Sequence, residues 1–102
     1  MKLIRKIADE ISEELHSANN YATCAIEYKQ EYPKLSQAYF DMAQDEITHA
    51  QTLHSNVVAI IEEVRKKETP PELEFMLQLW DEKHKKLINK MAKVKTKLSL
   101  YR

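Results

Sequence analysis

Glu46 and His49 stand three residues apart in the segment Asp45-Glu46-Ile47-Thr48-His49-Ala50. On a helix, residues at that spacing project from one face and can hold one metal ion together. Around them runs the stripe Leu35, Tyr39, Met42, Glu46, His49/Ala50, Leu53, Val57, Ile60/Ile61 and Val64, at helical steps of three and four. The pattern predicts a carboxylate and an imidazole at core positions. An uncompensated charge there costs several kcal/mol, and a bound metal ion would compensate it.

Glu14 is a second polar residue on an apolar face, bracketed by Ile11, Leu15, Ala18 and Tyr21. If the chain reverses near Pro33, Glu14 lies roughly 27 Å from the turn and the Glu46/His49 pair about 20–24 Å from it, at 1.5 Å per residue. The levels agree to within a helical turn. A carboxylate from one helix and a Glu/His pair from its antiparallel neighbour make up half of a di-iron carboxylate site. Taken singly, each residue also reads as a core-edge Glu reaching water or a hydrogen-bonded core His; three of them at one level favour the metal. Asp81 and His84 form a shorter pair of the same kind and are second-tier ligand candidates. A turn near residue 69 sets them about 18–22 Å along the axis, against about 30 Å for His49. His84 is therefore read as a core or interface histidine outside the first site. His54, about 140° round the helix from His49, and His16 are read as surface residues. No Ser/His/Asp arrangement, paired-cysteine metal motif or phosphate loop is visible.

The elements that must position these residues are long helices. The 102-residue chain has no glycine and three prolines, so tight hairpins and phosphate-cradling loops have little provision. One domain over residues 1–102 is expected, with helices over about 3–31, 34–67 and 70–100. Tyr32-Pro33 ends the first, because the residue before proline leaves the helical region and proline suits the first turn of the next helix. Thr69-Pro70-Pro71-Glu72 reads as an N-cap, two first-turn prolines and a capping-box glutamate. The expected faces are Ile4, Ile7, Ile11, Glu14/Leu15, Ala18, Tyr21/Ala22, Ala25 and Tyr28 on the first helix, and Leu73, Met76/Leu77, Trp80, His84, Leu87, Met91, Val94 and Leu98 on the third. Short connections make an all-α, antiparallel up-down-up bundle.

Net charge is zero, yet residues 83–102 carry +8 and the first 82 residues −8. The basic segment reads as a solvated helix face complementing acidic neighbours in the fold or an assembly, with an anionic partner (nucleic acid, a membrane surface or an acidic protein) as the alternative. It lacks interleaved aromatics, so nucleic acid is not expected as a partner. No segment approaches the roughly 18 apolar residues of a membrane span, and no signal-peptide-like run opens the chain. The lone Cys24 reads as a small helix-flank residue, and a soluble, cytoplasmic protein is expected.

Glu14, the run Ala18-Asn19-Asn20-Tyr21, then Phe40, Ala43, Glu46 and His49-Ala50 resemble the rubrerythrin branch of the ferritin-like superfamily over about residues 11–54. The resemblance implies Glu14 as the ligand from the first helix, Glu46 as a carboxylate able to bridge two metals and His49 as a terminal nitrogen ligand. Tyr21, two turns from Glu14 on the same face, would donate to a ligand carboxylate or relay an electron; aromatic core packing explains it equally well. Complete members of the family have four helices, whereas this chain has three. Two chains pairing their first two helices about a two-fold axis would restore the bundle and bring six ligands to two metals, similar to the small encapsulated ferritins. A homodimer or higher homo-oligomer is expected. Two carboxylates and an imidazole per metal suit iron in its Fe(II) and Fe(III) states, with manganese as the other candidate, and oxygen or peroxide as small substrate. Ferroxidase-type or peroxide-reducing chemistry follows from that reading. The alternative is a helical interaction or assembly module that keeps the ferritin-like fold without catalysis.

Overall fold

A computed structural model describes residues 2–67 and 71–101, and among them there are three helices and no strand. These are α1 (Lys2–Glu27), α2 (Pro33–Arg65) and α3 (Pro71–Tyr101). Helix α1 stops four residues short of the expected end. Tyr28–Glu31 form the turn, closed by backbone bonds from Tyr28 N to Cys24 O and Tyr32 N to Tyr28 O. Proline opens α2 at its first turn, where its missing N–H would have had no partner. Pro71 opens α3 likewise; Thr69, Pro70 and the side chain of Glu72, which complete the expected cap, lie outside the described residues.

Buried positions on α1 are Ile4, Ala8, Ile11, Leu15, Ala18, Ala22 and Ala25, in alternating steps of four and three. On α2 they are Ser36, Phe40, Ala43, Ile47, Ala50, Val57 and Ile61. Such a 3.5-residue repeat keeps one seam facing a neighbouring helix along its length. Alanine fills six of the seam positions in the two helices, letting their backbones approach closely. Helix α3 contributes Leu77, Trp80, Leu87, Val94 and Leu98.

Cross-helix contacts give the order of packing. Ser36 Oγ donates to Ala25 O and His49 lies beside Glu14, so pairs run in opposite order along α1 and α2. Lys83 bonds Asp9 at 2.8 Å and Lys97 bonds Asn19 at 2.6 Å, so α3 runs in the same direction as α1. Part of the basic segment thus does meet polar and acidic groups of α1. Helix α3 lies chiefly on α1 and touches α2 far less. The molecule measures 57 × 18 × 17 Å, with a radius of gyration of 16.5 Å, against about 13 Å for a compact domain of this length. No helix among the described residues is long and apolar enough to cross a membrane.

Candidate metal centre

The structure corrects the expected inner face of α2. Its first half buries Ser36, Phe40, Ala43, Ile47 and Ala50, one residue on from the predicted stripe, which turns the helix by about 100°. Leu35 and Met42 are exposed, at 46% and 41%, while Tyr39 and Leu53 are half-buried against the core. The first half of the predicted stripe exists as a second apolar face, beside the core rather than in it, while Ala50, Val57 and Ile61 of the same stripe are core residues as expected. Two registers of the same repeat coexist on α2, and the larger side chains of the outer one resemble a core.

Glu14, Glu46 and His49 come together on that outer face. Each offers one ligand atom, and the three atoms lie within 4.8 Å of one another. Glu14 and Glu46 are half-buried; His49, expected in the core, is an exposed residue with 58% of its side chain accessible. Its Nδ1 is 3.6 Å from Glu14 Oε2, too far for a hydrogen bond though near enough for attraction. Glu14 Oε2 is itself buried and has no hydrogen-bond partner. A buried carboxylate oxygen in that condition costs free energy unless a cation or donor reaches it. Carboxylate and imidazole bonds of about 2.1 Å to a divalent metal set two ligand atoms at most about 4.2 Å apart. Small side-chain rotations would therefore close the three around one ion, and the donor set of two carboxylates and one imidazole suits iron or manganese.

Tyr21 is half-buried and packs on Tyr39, ring centroids 6.0 Å apart. Its hydroxyl does not donate to Glu14 Oε2, which has no such partner. Tyr28 continues the aromatic patch, 6.3 Å from Tyr39 and 6.1 Å from Tyr32. The negative charge of Glu27, with a smaller effect of burial, raises the Tyr28 hydroxyl above its ordinary pKa.

The second-tier pair lies elsewhere. Asp81 is bonded to Arg65 at 2.7 Å. His84 Nδ1 is 2.7 Å from His54 Nε2, with the two rings 10° from parallel. This also corrects the reading of His54 as a surface residue: it is half-buried, and burial followed by repulsion from His84 holds its pKa below the ordinary value. The signal was present in the sequence, because position 54 completes the four-three repeat between Ala50 and Val57. It emerges only in the inner register. His16 is exposed as expected, with Asn20 Nδ2 3.4 Å from its Nε2. No protein-family model, characterised protein or solved structure matches this chain.

Proposed function

We propose that this chain is an iron-binding, ferritin-like protein whose di-metal site is completed when two copies pair. The observation that carries this reading is the meeting of Glu14, Glu46 and His49 around a buried carboxylate oxygen that has no hydrogen-bond partner. In this reading the chain is an up-down-up bundle whose α1–α2 hairpin meets that of a second copy. Glu14, Glu46 and His49 of each chain would together hold the two metals between the hairpins. Iron held there supplies one-electron chemistry toward oxygen or peroxide, giving ferroxidase or peroxide-reducing activity.

Two further features support pairing through this face. Leu35 and Met42, on the same face of α2 as Glu46, are apolar side chains that the chain itself leaves exposed, with half-buried Tyr39 and Leu53 beside them. The accessible area of 7072 Å² also exceeds the roughly 6,000 Å² of a compact 12 kDa monomer by about 1,000 Å². That excess is comparable to the roughly 800 Å² each partner buries in a stable interface. The same apolar face favours a second reading, an assembly module without catalysis. Anaerobic Fe(II) loading distinguishes the two. Two irons per pair of chains, lost in both Glu46→Ala and His49→Ala, is the expected result; unchanged iron content in both variants overturns the site.

A further inference from the structure

His54 and His84 occupy core-seam positions of facing helices, between Ala50 and Val57 on α2 and between Trp80 and Leu87 on α3. A seam position ordinarily takes an apolar side chain, since a buried polar group without a partner is destabilising. Here two imidazoles satisfy each other: one ring N–H donates to the other's lone pair across 2.7 Å. The rings are 10° from parallel, so the bond runs close to their shared plane, with Trp80 alongside. The two rings lie 4.6 Å apart, and the Trp80 ring is 5.4 Å from His84 and 6.1 Å from His54.

We propose that His54 and His84 form a second metal site, distinct from the carboxylate cluster, for a late first-row divalent ion of square-planar or tetragonal preference. Two nitrogen ligands at about 2.0 Å and 90° from one ion stand about 2.8 Å apart, whereas tetrahedral ligation needs about 3.3 Å. The observed 2.7 Å separation fits the first geometry with almost no movement of the helices. Each lone pair must swing about 45° off the N–N line, which requires both rings to turn about their outer torsions. The ion then takes the place of the shared proton, which passes to the other nitrogen of the donating ring so that both imidazoles stay neutral, and water completes its coordination, both rings being only half-buried. Burial already favours neutral His54, the form that ligates. The donor set of two imidazoles without a carboxylate selects Cu(II) or Ni(II), whereas the Glu14 cluster offers mostly oxygen. His54 lies about 7.5 Å along α2 from His49 and on another face, so the two sites are independent. This inference does not rest on the iron reading.

Trp80, the only tryptophan of the chain, stands beside this site and serves as its fluorescent probe. The experiment is titration of the full chain with Cu(II), following Trp80 emission, together with electron paramagnetic resonance of the one-equivalent complex. Saturable quenching is expected in the wild type and in His49→Ala, with at least tenfold weaker binding in His54→Ala and His84→Ala. The resonance reads the wild type without any variant, so a misfolded variant does not block the test. Coupling to two imidazole nitrogens is expected. Coupling to one imidazole, or quenching lost in His49→Ala and kept in His54→Ala, overturns the proposal.

Discussion

Replacing Glu14 by glutamine tests whether its carboxylate is there for a cation. The change keeps size and removes charge from an oxygen that is buried without a hydrogen-bond partner. Leaving such an atom unsatisfied costs about 1–3 kcal/mol and more when the group is charged, so glutamine keeps the first cost and removes the added one. His49 offsets little, because a contact at 3.6 Å to a side chain 58% exposed falls among ion pairs worth about 0–1 kcal/mol. Metal-free Glu14→Gln is therefore expected to be more stable than wild type by about 1 kcal/mol, raising Tm by about 4–8 °C for a domain of this size. Saturating Fe(II) should reverse the order: at a hundred times Kd a ligand stabilises the folded state by about 2.7 kcal/mol, a gain the variant forfeits. Thermal melts by circular dichroism under anaerobic conditions, with and without Fe(II), give all four values. A metal-free variant that melts below wild type, or an equal Fe(II) shift in both proteins, refutes the reasoning.

Ser36→Ala removes a buried hydroxyl that donates to Ala25 O in the last turn of α1 and sits 3.1 Å from the Tyr101 hydroxyl; a loss of about 1–3 kcal/mol in urea unfolding is expected. His54 has a folded pKa below its unfolded value, so the unfolded chain binds the extra proton. The stability that neutral His54 confers is complete above about pH 6.5 and declines as pH falls from there toward the folded pKa. Urea melts across that range should show the decline in wild type and a flatter profile in His54→Gln. His84→Ala should leave Fe(II) affinity within about twofold while weakening α3 packing, since His84 contacts His54 and Trp80 rather than the cluster. If the iron site is shared between copies, iron must strengthen dimerisation and dilution must weaken iron binding by one and the same free energy. Sedimentation at several concentrations with and without Fe(II) measures both, and a monomer that holds two irons tightly contradicts the shared site.

Helix number and the inner faces of α1 and α3 are legible in the sequence because their apolar residues follow one register. The level at which Glu14 meets Glu46 and His49 is legible too, since axial rise depends only on residue count and on the turn at Pro33. The orientation of α2 is not. Leu35, Tyr39, Met42 and Leu53 repeat with the same steps as Phe40, Ala43, Ile47 and Ala50, and carry larger side chains. Hydrophobic weight alone selects the outer set. What decides is the neighbouring helix: the inner set of α2 carries the small residues Ser36, Ala43 and Ala50, the buried face of α1 carries Ala18, Ala22 and Ala25, and bulkier residues would hold the backbones apart. Choosing the outer register also conceals His54, which reads as a surface residue there and as a seam residue in the inner one.

The uneven attachment of α3 has a consequence for how the molecule opens. Between α2 and α3 lies a groove of about 680 Å³ lined by Phe40, Ile47, Lys95 and Leu98 among others. On that side the two helices are joined through contacts that include His54 with His84 and Trp80, Arg65–Asp81, Ser36–Tyr101 and the Phe40–Tyr101 ring pair. The α1–α2 hairpin, by contrast, is seamed throughout. Subglobal unfolding follows the weaker boundary. Helix α3 should therefore detach with α1 and α2 still folded, and its amides should exchange hydrogen for deuterium ahead of theirs. A metal ion clamped between His54 and His84 would slow exchange in α3 and leave the hairpin's rate almost unchanged.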